Sequence, residues 1–413
     1  MRASLLRACV VLVFAAVSPA QDPVRTLTIL HTNDLHAHLL PNSDGLGGFA
    51  QLATAVRRER EHCSDCLFLN AGDLVQGTPV STMFHGLPIH EIANRLGIDV
   101  STLGNHEFDY GYAMIPKFLR TARFPVVSAN VVDGNGRLIT KPYLIKTVGG
   151  LRVAVIGAVM DNLVGTFTTP EEIGPWRVLP LLETVRKVAS EVAPRCDLVV
   201  LLAHIEDEQV EQILRNVPEV PVIVAGHSHK GFPEMKRIDG RLAVEGKGYG
   251  VELNRLELSI DTTHRTVTAA KWKRIPVQAK TFPPAPDVAG LVSTWEAKVS
   301  KIVDVPIGFS QRPLAKEDLR KLVERAMAEE TGADFAWINS GNLRDSLPAG
   351  NCSPATSGTS SHSITGCCWE LSRAVRFPPG SRRAGRWIPT KTTRSQSPIS
   401  PPRISPPSSA RQI

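Results

Sequence analysis

Between residues 26 and 275, short Val-, Leu- and Ile-rich runs alternate with stretches of helical periodicity. The runs at 26–31, 66–70, 125–128, 152–156, 198–203 and 220–225 are continuous in apolar character and end in polar residues, the pattern of strands buried on both faces. Between them the spacing predicts helices, including 181–192 and 209–215. After residue 240 strands follow one another without intervening helices, at 241–245, 251–260 and 266–274. The pattern predicts one α/β domain over residues 25–275, a layered β-sandwich flanked by helices with a β-rich closing part.

A proline-rich break at 281–287 (TFPPAPD) and a charged helix at about 289–302 make residues 276–303 a linker with a bridging helix. A second, incomplete α/β domain is expected over 304–350, opening with a helix at 316–330 and a strand at 335–339. There is no internal repeat. Residues 351–413 hold nine Pro and thirteen Ser, and their few apolar positions follow neither period 2 nor period 3.6. A stretch so poor in apolar contacts cannot offset its ordering entropy, which predicts a disordered tail.

Charge changes the picture only once it is mapped. The chain carries a formal net charge of +7, but residues 351–413 contribute nine Lys/Arg against one Glu, and Arg2 and Arg7 add two more positive charges. Residues 21–350 are therefore net acidic, which removes the argument for a nucleic-acid partner; a basic nucleic-acid binder would rest on the tail alone. Arg2 and Arg7, the apolar run 8–17 and the small residues Ser18-Pro19-Ala20 form an export signal over 1–20. No other run reaches the length needed to span a bilayer, so the mature chain is expected outside the cytoplasm, periplasmic or secreted and off the membrane. Cys63 and Cys66 form a C-x-x-C with no second pair at zinc-finger spacing. In an oxidising compartment a local disulfide is favoured, with a free thiol pair as the alternative. Cys196 is expected in the core.

The chemistry gathers at strand ends. The run 26–31 leads into Asp34 and His36; the run 66–70 leads into Gly72 and Asp73; the segment 103–111 carries Asn105, His106 and Asp109; the last two runs deliver His204, His227 and His229. Each feature alone is more often structural. Together they place two carboxylates, four imidazoles and a carboxamide at one end of an inferred sheet, where open α/β sheets bind ligands. Burying that set without a common partner is costly, and a pair of divalent ions sharing a carboxylate removes the cost. The mixed oxygen and nitrogen donors suit manganese, zinc, cobalt or iron better than calcium.

The blocks HTNDLHAHL, NAGDLVQGTP, LGNHEFDYG, LLAH and GHSH, in this order, resemble the two-metal metallophosphoesterases, specifically the exported 5′-nucleotidase family, over about residues 26–350. The resemblance implies that Asp34, His36 and His229 hold one ion, that Asn105, His204 and His227 hold the other, and that Asp73 bridges them. It implies His106 as the partner of the leaving group, oriented by Asp109, and hydrolysis of nucleoside 5′-monophosphates by a metal-acidified water. An imidazole kept cationic by a neighbouring carboxylate can indeed donate to a departing alkoxide. Within the same fold the rivals are 2′,3′-cyclic nucleotides, UDP-sugars or a sulfur-linked substrate. Oligomeric state is not legible.

The segment Trp337-Ile338-Asn339-Ser340-Gly341-Asn342-Leu343-Arg344 resembles the family's Asn-x-Gly-x-x-Arg, which implies Asn339 and Arg344 on the phosphate side of the substrate. Lys321 and Arg325 depart from the family pattern and weaken Arg320 as a further phosphate ligand. The Leu-Pro-Phe-x-Asn strand that the family places next, and a later aromatic, are missing. The codons behind residues 356–365, read one base out of step, permit Ile-Trp-Asn-Ile-Leu-Pro-Phe-Asp-Asn. The expectation is a frameshift near residues 348–352, with out-of-frame peptide after it. A reading of another class follows: a metal-binding, catalytically impaired product of a disrupted gene.

Overall fold

Leu27 and Ile29 leave one face of the first strand and Leu30 the other, and all three are buried. The same alternation recurs in Leu67 and Leu69 against Phe68, and in Val200 and Leu202 against Leu201. A strand buried on both faces needs a layer on each side, and the computed structural model supplies four. It describes residues 24–63, 65–303, 308–338, 346–347 and 349–352. The export segment 1–20, Asn339, Arg344 and everything after residue 352 lie outside the described residues.

The first sheet contains β1 (Val24–Thr32), β2 (Cys66–Asn70), β3 (Val100–Thr102), β4 (Val126–Val127), and the later β11 (Glu252–Asp261) and β12 (Thr266–Pro276), in the order β12-β11-β1-β2-β3-β4. The second contains β5 (Tyr143–Val148), β6 (Leu151–Val159), β7 (Leu198–His204), β8 (Val222–Gly226), β9 (Lys236–Ile238) and β10 (Arg241–Val244), ordered β9-β10-β8-β7-β6-β5. The central strands of each sheet, β1 to β4 and β6, β7, β8 and β10, run parallel. Leu27, Ile29, Leu67 and Leu69 of one sheet meet Val153, Val155, Val200, Leu202, Val222 and Val224 of the other. Helix α1 (Phe49–Glu61) covers the outer face of the first sheet beside α2 (Leu87–Ala93). Helices α3 (Leu181–Val192) and α4 (Asp207–Asn216) cover the second through Val185, Ala189, Ile213 and Leu214.

This is the expected α/β sandwich flanked by helices, with one correction: the donors do not share a single sheet. Asp34, Asp73 and Asn105 follow strands of the first sheet, and His204, His227 and His229 come from the second. A strand packed on a helix and one packed on a second sheet carry the same apolar code, so residue pattern alone merges the two.

Helix α5 (Pro286–Val303) lies on the sandwich: Val288, Val292 and Val299 join the core beside Phe49 and Leu52, and Trp295 donates to Glu91. The segment expected as a bridge thus packs on the first domain. Beyond it, α6 (Lys316–Thr331) buries little more than Leu319 and Val323. The strand expected at 335–339 does not form over described residues 335–338, where Phe335 and Trp337 are 78% and 46% exposed. Apolar alternation makes a strand only when a neighbour pairs with it, and no such neighbour lies among the described residues. Gly350–Cys352 instead pairs antiparallel with Gly308–Ser310, so ordered chain runs two residues past the expected start of the tail. Cys63 and Cys66 are disulfide-bonded where α1 hands over to β2, and Cys196 is buried and unpaired with any cysteine.

Among the described residues, two imidazoles outside the site are buried. His31 accepts from the Trp272 indole, and burial pushes it down to about 3. His90 of α2 stacks on Phe118, and burial pushes it down to about 4. An unfolded histidine titrates near ~6.5. Between that value and the folded one only the unfolded chain takes up the proton, so stability falls with pH across this window, by about 1.4 kcal/mol per unit for each imidazole. Above it there is no contribution. His90→Phe keeps the stack and removes the titration. Its unfolding free energy should rise relative to the parent as pH is lowered from about 6.5 to about 4 in urea titrations. A difference constant across the window would contradict this.

Candidate metal centre

Parallel strands that end in register deliver the residues after them to one edge. Thr32 lies beside Asn70 at the end of the β1–β2 ladder, and Gly226 beside His204 at the end of β8–β7. The chain then turns sharply. Asp34, His36, Asp73, His227 and His229 all hold positive φ, at 52°, 46°, 54°, 111° and 60°. Five side-chain-bearing residues in that region cost on the order of 1–3 kcal/mol each, strain that concentrates where function demands a fixed geometry.

The result is a dense, buried cluster. Asp34, His36, Asp73, Asn105 and His204 are all at most 2% exposed. One ligand atom from each of Asp34, His36, Asp73 and His229 lies within 4.8 Å of the others. The Nε2 atoms of His36 and His229 are 2.9 Å apart, and His229 Nε2 is 3.2 Å from Asp34 Oδ1. Beside this group, Asn105 Oδ1 lies 3.1 Å from His204 Nε2 and 3.2 Å from His227 Nδ1. Asp73 Oδ2 faces both groups, at 3.1 Å from His204 Nε2 and 3.6 Å from His36 Nε2. All seven residues singled out in the sequence converge.

The donor set fits metal ions. Asp34 Oδ1 and Asp73 Oδ2 are fully buried and accept no hydrogen bond, though their partner oxygens do. Two like-charged oxygens orphaned among imidazole nitrogens need a cation. The spacings agree: ligand bonds of about 2.1 Å at right angles put neighbouring donors about 3.0 Å apart. Burial pushes the Asp34 and Asp73 carboxyls up, but the neighbouring histidines outweigh it and hold both well below the usual range. Burial pulls His204 down, yet the Asp73 and Asp34 charges raise it to about 10, while burial dominates at His36 and lowers it to about 4.

His106 sits at the rim. Its Nδ1 is 2.6 Å from Asp109 Oδ2, its backbone N–H donates to Asp73 Oδ1 at 2.9 Å, and its ring meets that of His36 edge-on at 5.0 Å. On α6, Arg320 is paired with both Glu317 and Glu324. A cavity of about 440 Å³ opens at the opposite edge of the first sheet, against Thr26, Thr28, Cys63 and Asp65, and contains none of the cluster.

Several supporting residues escaped the sequence reading. Glu107 is buried behind the cluster and accepts from the backbone N–H groups of Asp73, Leu74 and Gly104, stapling two ligand loops together. Burial, then the Asp73 charge, raises its carboxyl to about 7. Asn33 donates to Asp34 Oδ2, and Glu245 accepts from the Ser228 backbone between His227 and His229. The Tyr249 hydroxyl lies 2.9 Å from His229 Nδ1. An acid beside Asn105 and His106 was a visible signal for Glu107; nothing in one sequence points to Tyr249.

Residues 27–231 match the family model described as calcineurin-like phosphoesterase. These residues are a calcineurin-like phosphoesterase domain. The chain is similar to the 5′-nucleotidase precursor of Thermus thermophilus, at 28% identity and TM-score 0.72, covering 80% of this chain and 72% of that one. It is 32% identical to the 5′-nucleotidase of Rattus norvegicus over 59% of this chain and 48% of the relative. With the probable 5′-nucleotidase of Treponema pallidum it shares 34% identity over 49% of this chain and 36% of the relative. The chain thus spans half or less of the length of these two curated relatives. The matched phosphoesterase domain contains the strand ends that deliver the cluster and every one of its seven donors.

Gly104 tests how tightly this phosphoesterase centre is built. A Cβ there would collide with Asp73 Oδ1. Gly104→Ala should therefore shift Asp73, destabilise the chain by about 1–3 kcal/mol and weaken manganese binding at least about tenfold in a calorimetric titration. Unchanged affinity would show that Asp73 does not depend on that close contact.

Proposed function

We propose that this chain hydrolyses phosphoesters with two divalent ions, nucleoside 5′-monophosphates being the foremost substrates. Asp34, His36 and His229 would hold one ion and Asn105, His204 and His227 the other, with Asp73 facing both groups. The observation that carries the reading is the pair of orphaned oxygens, Asp34 Oδ1 and Asp73 Oδ2, ringed by imidazole nitrogens. The nucleotidase names of the relatives support the substrate class.

Bound ions of this kind supply charge neutralisation for phosphoryl oxygens and lower the pKa of water enough to make a nucleophile at neutral pH. The chain's own residues do the rest. Asp109 holds the His106 imidazole by Nδ1 and favours its cationic form, and His106 passes a proton to the departing ester oxygen. Asp73 Oδ1 fixes the His106 backbone, tying the proton donor to the carboxylate that anchors the centre. On the substrate side, Asn339 and Arg344 contact the phosphate, Arg344 through its two-pronged guanidinium. The amino-terminal pattern supports export to the periplasm or medium, so the substrate is met outside the cytoplasm.

Chelation of the purified full chain should abolish hydrolysis of an aryl phosphate, and manganese should restore it. His106→Ala should lower kcat by about 10²- to 10⁴-fold with metal content unchanged. Full activity in that variant would remove His106 from the chemistry.

A second reading is favoured by the small core beyond residue 308: among the described residues there, Leu319 and Val323 form the buried cluster, and Phe335 and Trp337 are exposed. On this reading a frameshift near residue 350 has removed the base-stacking part, and the metal domain keeps general phosphoesterase activity. Hydrolysis of an aryl phosphate should then persist while AMP shows a KM raised at least about tenfold above that of a complete nucleotidase, for want of the aromatic stack. Equal loss on both substrates would count against it.

A further inference from the structure

Tyr249 stands in the loop between β10 and β11, flanked by Gly248 and Gly250, with φ at 67°. Its backbone N–H donates to the carbonyl of Asp34 at 2.6 Å. Its ring packs against His36 at 5.6 Å and against His229 at 5.1 Å between centroids. Its hydroxyl is hydrogen-bonded to His229 Nδ1 at 2.9 Å, while His229 Nε2 faces Asp34 Oδ1 at 3.2 Å. The preceding Gly248 donates to the His229 carbonyl, and a Cβ on Gly248 would press within 3.1 Å of the Asp34 side chain. One residue therefore touches Asp34, His36 and His229, the three ligands that belong to one ion alone. Asn105, His204 and His227, assigned to the other ion, meet one another instead.

We infer that Tyr249 is the positioning residue of the first ion site: its hydroxyl accepts the Nδ1 proton of His229 and so fixes the tautomer whose Nε2 lone pair points at the metal. The physical basis is general. An imidazole ligand needs a partner on its second nitrogen to hold the ring and raise its basicity, and losing that partner typically costs metal affinity 10- to 100-fold. Here the partner is a phenol that also packs on a second ligand ring, so orientation and tautomer are set by the same side chain. The Tyr249 backbone grips Asp34 whatever its side chain, so the hydroxyl can be removed without releasing the loop.

The inference rests on the two-ion reading, and the test separates the two. The metal-depleted full chain and its Tyr249→Phe variant are titrated with manganese by calorimetry, and thermal unfolding is followed on both without metal. The parent should bind in two resolvable steps. Y249F should unfold at the parent's temperature, weaken one step about tenfold or more and leave the other unchanged. Two steps in the parent that are both unaltered in Y249F, or both weakened alike, would overturn the role of Tyr249. A parent that binds a single ion would overturn the two-ion reading itself.

Discussion

Two carboxylate oxygens that water cannot reach and no donor satisfies organise this molecule. Asp34 Oδ1 and Asp73 Oδ2 lie in a cleft between two β-sheets, within reach of the same imidazoles. Burying such oxygens is costly unless positive charge faces them. Almost every other peculiarity of the domain follows from keeping them there. The ligand loops take left-handed backbone at five of the seven positions, a glycine lies against Asp73 where a Cβ would not fit, and a buried glutamate ties the β2 loop to the β3 loop. A local misfit at any of these would be felt across the whole cluster, because Asp73 faces both donor groups.

The sandwich provides the rigidity. Its two inner faces interlock through aliphatic residues, and each outer face is closed by helices, so the strand ends are fixed from both sides. Function then depends on two sheets rather than one: carboxylates and carboxamide arrive from the first, most imidazoles from the second. This division gives the cleft its chemistry. The oxygen donors and His36 on one wall meet the other three imidazoles across the cleft, where an ion can sit between them. It also explains why stability and activity should be separable at the rim, where His106 and Asp109 lie, and inseparable at Asp73.

Much of this was legible in the sequence, because the clustered donors fall within a few residues of strand ends and strand ends are marked by the change from apolar to polar residues. D-x-H after β1, the Gly-Asp pair after β2 and G-H-S-H after β8 all announced themselves in this way. The number of sheets did not, since burial on both faces is the same code whatever the covering layer. Glu107 and Tyr249 were also missed, for a different reason. Each works through backbone groups or a ring nitrogen of residues 20 or more positions away, Glu107 on Asp73 and Tyr249 on His229. Such contacts are set by how loops close over one another, which spacing does not encode. Beyond α6, apolar residues at 335 and 337 suggested a strand, but a strand requires a partner, and the pairing that does form among the described residues uses Gly308–Ser310 with Gly350–Cys352.

The claim on which all of this rests is that seven side chains enclose a pair of ions that share Asp73. Crystals of the full chain grown with manganese and measured near the manganese absorption edge test it most directly. The account predicts two anomalous peaks about 3.5–4 Å apart, one beside His36 and His229, the other beside Asn105 and His204, with Asp73 between them. A single peak, or none within reach of Asp73 at saturating manganese, would contradict it.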